Sequence, residues 1–115
     1  MIDSNGFDQP TNVAIRNRQR TPASLRQALQ GLSVVYYLAT DPGHVKIGTT
    51  SDIVARLGHL KSTWADVIAV EFGSFELERE RHQQFSHLRV EGCERFKAEG
   101  DLLDHVTALR ARLAA

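Results

Sequence analysis

The stretch from Val34 to Thr50, VVYYLATDPGHVKIGTT, constrains the fold more than any other part of the chain. Val34 to Ala39 is dense in β-branched and aromatic residues, Asp41-Pro42-Gly43 supplies turn chemistry, and His44 to Thr49 returns with alternating apolar positions. Two such runs around a Pro-Gly turn read as an antiparallel β-hairpin. With Thr40 set opposite His44, Val34 pairs with Thr50 and Tyr36 with Gly48. Alternation then puts Val34, Tyr36, Leu38, His44, Lys46 and Gly48 on one face, and Val35, Tyr37, Val45 and Ile47 on the other. Tyr36 and Lys46 become diagonal neighbours, while Tyr37 is assigned to the core.

Around this hairpin the pattern predicts helices. Thr21 and Pro22 suit the cap and first position of a helix carrying Leu25, Ala28 and Leu29, which Gly31 ends. TSDIVARLGHLKS opens with capping residues and aligns Ile53, Leu57 and Leu60 on one stripe, with Arg56 beside it. DVIAVEF reads as a third strand, and the residues from about Phe75 to Leu88 as a helix whose apolar arc of Leu77, Phe85 and Leu88 is interrupted by Arg81. An arginine there needs a buried acid or a loosely packed helix. VEGCERF follows as a turn and short strand, and DLLDHVTALRARL as a closing amphipathic helix. The expectation is an α+β fold with a small antiparallel three-stranded sheet flanked by helices.

A chain of 115 residues, 42% of them hydrophobic, has material for one such domain and a tail. The domain is expected over residues 21–115. Residues 1–20 are too polar to offset the cost of ordering and read as a flexible arm. The formal charge is zero, which argues against coating nucleic acid by charge alone. Yet no acid occurs from Gln9 to Thr40, and Arg16, Arg18 and Arg20 fall in that window, so the arm is expected to contact phosphates. A single cysteine, Cys93, forbids an intrachain disulfide, and no apolar run is long enough to span a bilayer. A cytoplasmic setting without a membrane partner is the expectation; the oligomeric state is left open.

The VVY of the first strand, the KIG of the second and the following helix arginine together resemble the GIY-YIG nuclease superfamily. Downstream, ERERHQQFSHLRVEGCERF is similar to the pattern of its small phage and bacterial branch with a Lys-Ile-Gly second motif. The resemblance runs from about Val34 to His105. It implies an endonuclease hydrolysing DNA, with RNA left open, and a Mg²⁺ or Mn²⁺ ion. Tyr36 matches the first-motif tyrosine, Lys46 replaces the second, and Gly48 keeps the glycine. Arg56 matches the helix arginine, Glu94 the metal-binding glutamate, and His82 the histidine of the later helix. Val34 stands where the superfamily name has glycine, Cys93 and Arg95 flank Glu94 where glycine and an aromatic are usual, and Arg81 takes an apolar position.

Phosphodiester hydrolysis needs an activated water, charge stabilisation on the phosphoryl oxygens and help for the leaving oxygen. A free tyrosine, with a pKa near 10, is a weak base at neutral pH. A lysine ammonium about 4 Å away would favour its phenolate by up to ~4 kcal/mol before desolvation, so Lys46 is expected to activate Tyr36. Arg56 can fork onto phosphate oxygens, and Glu94 offers a hard oxygen for one ion that retains waters. Lys61 is a further candidate phosphate contact. Two other readings fit the same sequence: a catalytically weak nucleic-acid-binding module of this fold, and a protein-interaction domain.

Overall fold

The structure is a computed structural model that describes residues 27–90, 92 and 94–114. Arg16, Arg18, Arg20, Cys93 and most of the helix expected from Thr21 lie outside the described residues; residues 27–29 are helical, and Gly31 follows with φ +77°.

The hairpin forms from strands β1 (Val34–Asp41) and β2 (His44–Thr50). Val34 pairs with Thr50, Tyr36 with Gly48 and Ala39 with Val45, as the alternation predicts. At the tip the register differs from expectation: Asp41, not Thr40, faces His44. Pro42 and Gly43 close a two-residue turn in which Gly43, at φ +92°, takes the left-handed position that a type II turn reserves for glycine. The tight turn leaves one residue too many in β1, which the register shift between Ala39 and Asp41 absorbs as a bulge. Asp41 then accepts from His44 Nδ1 (2.6 Å) and from Arg95 (3.0 Å), which ties the turn to the neighbouring strand.

β3 (Val67–Phe72) and β4 (Arg95–Lys97) flank the hairpin, giving an antiparallel sheet in the order β3-β1-β2-β4. The sheet therefore has four strands rather than three, because the short run within CERFK pairs with His44 to Lys46. β1 is central and buried on both faces. Val34, Tyr36 and Leu38 pack with Leu29, Val70 and residues of helix α1 (Ile53–His59), whereas Val35 and Tyr37 join Phe85, Phe96 and helix α3 (Gly100–Ala114). The Asp52 side chain caps α1 by accepting from the Ala55 amide at 3.1 Å. Helix α2 (Phe75–Gln84) is shorter than expected; Phe85 ends it, and Ser86–Leu88 continue as a 3₁₀ turn. The tighter turn satisfies the last carbonyls while sending Phe85 and Leu88 into the core. No helix among the described residues is long and apolar enough to cross a membrane.

Gly48 has a packing role set by the hairpin register. The Tyr36 ring lies across it so closely that a Cβ at position 48 would sit 2.6 Å from Tyr36 Cζ. Gly48→Ala is therefore expected to cost about 1–3 kcal/mol as overpacking. Urea unfolding checks this, with a midpoint matching the wild type as the contrary result.

Candidate active site

The side chains that gather on the Tyr36 face come from four separate segments. Tyr36 itself is 0% exposed. Its hydroxyl accepts from Arg56 Nη1 at 3.3 Å, and the same nitrogen reaches the Thr49 carbonyl at 3.4 Å. α1 thus lays its arginine back over the hairpin, covering the phenol. Two residues along β2 from Gly48, Lys46 Nζ donates to Glu94 Oε1 at 2.7 Å. Glu94 sits just before β4, whose first residue, Arg95, pairs with Lys46, so the strand pairing itself delivers the carboxylate to the ammonium. The hydrogen bond and then the charge of Lys46 hold the Glu94 carboxyl below the usual carboxylate range. It is an anion at neutral pH, with its side chain 55% exposed.

This arrangement differs from the sequence expectation in one respect. The cation on the Tyr36 hydroxyl is Arg56, while Lys46 is committed to Glu94. Both residues share a face as expected, but the lysine stem reaches toward the edge of the sheet, where the carboxylate is.

His82 reaches the site through the backbone. Its Nε2 lies 2.9 Å from the Ile47 carbonyl, which can only accept, so that nitrogen carries the proton and Nδ1 is its other hydrogen-bonding atom. β4 pairs only as far as Lys46, and His82 satisfies the next carbonyl along β2. Its ring packs 5.1 Å from Phe96. His82 and Glu94 line one cleft of about 460 Å³. Lys46 and Lys61 line a second of about 390 Å³, with Lys61 exposed and at φ +56°. Each cleft is lined by one member of the Lys46–Glu94 ion pair.

The resemblance implies a divalent metal. Among the described residues no group of three His, Cys, Asp or Glu side chains is placed to hold one. Glu94 is an exposed, ionised hard donor, which fits an ion of the magnesium kind that keeps most of its waters and completes its shell with substrate phosphate oxygens.

Sequence reasoning missed a second polar cluster, on the opposite face. Arg81 forks onto Glu71, with Nε 2.9 Å from Oε2 and Nη2 3.0 Å from Oε1, and the Tyr37 hydroxyl donates to the same Oε2. His105 Nε2 lies 3.0 Å from that hydroxyl. The arginine in an apolar arc signalled a buried acid, and alternation along β3 puts Glu71 on the core face with Ala69. Tyr37 is in the core as expected, but as the hub of this cluster. Burial first, then the hydrogen bond and charge of Glu71, push the Tyr37 phenol well above its ordinary value. Burial raises the Glu71 carboxyl, and the hydrogen bonds of Arg81 and Tyr37 more than offset it, holding the group below its ordinary 4.5. α2 has no fully buried residue; Leu77 packs half-buried against the core, and these bonds with the His82 contact add to its hold on the sheet.

A depressed folded pKa stabilises the fold above the unfolded value and loses that contribution as pH falls through the folded one. Glu71→Gln is thus expected to cost about 2 kcal/mol at pH 7, between the values for exposed and fully buried pairs. The gap from wild type should close as pH drops below about 4, under the ordinary carboxylate value. Thermal melts at neutral and acid pH test this; a gap that persists in acid would contradict it.

Among known proteins, the sequence model of the T5orf172 domain matches residues 33–112. No curated protein and no solved structure matches the chain.

Proposed function

The chain belongs to the T5orf172 domain family, a nuclease-like phage domain, and from that premise we propose that it is a metal-dependent endonuclease of the GIY-YIG type that hydrolyses phosphodiester bonds in DNA. The observation that carries this reading is the convergence, within the matched region, of a tyrosine under an arginine and a lysine on an exposed carboxylate.

In this reading a backbone phosphate draws the Arg56 guanidinium away from the phenol, forming bidentate bonds to the nonbridging oxygens. The movement uncovers the Tyr36 hydroxyl beside the scissile bond, and its phenolate, formed by loss of the phenolic proton to solvent, takes the proton of the attacking water. Lys46 holds the Glu94 carboxylate ionised and aimed. Magnesium or manganese on Glu94 would supply Lewis-acid stabilisation of the leaving 3′ oxygen. His82 positions β2 through the Ile47 carbonyl, and Lys61 receives the phosphate backbone on the Lys46 side.

Arg56→Ala is expected to slow single-turnover cleavage by about 10²–10³-fold, the range for losing one donor to a developing oxyanion. Wild-type rates in that variant would remove the arginine from the reaction.

A second reading, a DNA-binding module with little or no activity, draws on the complete burial of Tyr36. It predicts salt-dependent DNA binding without cutting.

A further inference from the structure

Three large hydrophobic side chains are exposed among the described residues: Leu32, Phe72 and Phe75. Phe75 differs from the other two in its surroundings. It opens α2 with 70% of its surface in solvent and lines the 460 Å³ cleft that also contains Glu94. Leaving a phenylalanine in water forgoes roughly 1.5–3 kcal/mol of burial. The same cleft carries Glu78, Arg79, Gln83 and Arg89, so an open aromatic face stands among hydrogen-bond donors and acceptors of both signs.

This mixture suits a nucleobase better than a run of phosphates. Phosphates take donors and cations alone, whereas a base offers a flat apolar face and an edge with both donors and acceptors. The volume is also of the size that takes a single small ligand. Duplex DNA hides its base faces in the stack, so only an unpaired or extruded base can use an aromatic platform.

We propose that this cleft receives an unpaired nucleotide next to the scissile phosphate, with its base stacked on Phe75, so that the preferred substrates contain a single-stranded, looped or flipped position. The inference rests on the reading of DNA as substrate and names the form of DNA. The strand runs from Lys61, past the Lys46–Glu94 pair, into the Phe75 cleft. Arg79 meets its backbone, and Phe75 separates unpaired from paired bases.

The test measures binding without divalent metal, so that no strand is cut and the result is independent of catalysis. The full chain and its Phe75→Ala, Phe75→Trp and Arg79→Ala variants are titrated against a labelled single strand and the same sequence as a duplex. Phe75→Ala should weaken single-strand binding by about 5- to 150-fold, the range for one base–aromatic stack, and duplex binding by less than about twofold. Phe75→Trp should retain single-strand affinity, with the added indole emission quenched on binding. Arg79→Ala should weaken both forms alike. Equal losses on both forms in Phe75→Ala, no loss on either, or sedimentation showing that Phe75 instead holds two copies together would overturn the proposal. Stacking by a chain that never cuts would leave this inference standing and remove the nuclease reading; cutting with Phe75→Ala binding unchanged would do the reverse.

Discussion

Tyr36→Phe is expected to lower the DNA cleavage rate by about 10²–10⁴-fold, the range attributable to a positioned general base, while the fold stays intact. The substitution removes one oxygen. The ring still lies across Gly48, and the only bond lost in the described structure is the one from Arg56 at 3.3 Å, worth at most about 3 kcal/mol of stability for a charged donor. Because the arginine covers the hydroxyl, the two residues are coupled, and Tyr36→Phe combined with Arg56→Ala should fall well short of the product of the separate losses. Single-turnover rates beside thermal melts decide the matter. Turnover within about twofold of wild type in Tyr36→Phe would show that the water's proton goes elsewhere.

Glu94→Gln is expected to be at least as severe, reducing cleavage by about 10³-fold or more, since several kcal/mol of charge stabilisation at 1.36 kcal/mol per decade is lost with the metal. The fold should tolerate it, because an ion pair with a carboxylate this exposed contributes no more than about 1 kcal/mol. Two effects of the substitution need separating: loss of a metal donor, and loss of the partner that steadies Lys46. Calorimetric titration with Mg²⁺ does so, since only the first removes the binding heat. Glu99→Gln, also exposed and beyond β4, serves as the control and should change little. Undiminished Mg²⁺ affinity in Glu94→Gln would place the metal elsewhere.

The hairpin was legible because its signals agree. β-branched and aromatic runs, a Pro-Gly turn and period-two alternation all fix one register, and the structure follows it from Val34–Thr50 to Ala39–Val45. It departs at Thr40, where the turn's own geometry outranks the count of residues. The fourth strand was visible as a short run but not as a sheet member, since three residues carry no periodicity and pairing with His44 to Lys46 is a tertiary fact. Side-chain partners were harder. Lys46 and Tyr36 share a face, yet a long flexible stem goes to the carboxylate, and no local pattern placed Glu94 within reach. Arg81 shows the useful middle case: its conflict with the apolar arc announced a missing acid, and only the packing of α2 on β3 identified Glu71. Tyr37 was assigned by its face, which says where a ring goes and nothing about what its hydroxyl meets.

Cutting of DNA by this chain with a metal held by Glu94 is open to a direct experiment. Incubating the full chain with supercoiled plasmid across a Mg²⁺ titration, beside chelated and Glu94→Gln controls, tests it most directly. Nicked and linear products should rise with Mg²⁺ and be absent from both controls. Plasmid that is bound yet stays supercoiled at every Mg²⁺ and Mn²⁺ concentration, or is cut equally by Glu94→Gln, would contradict it.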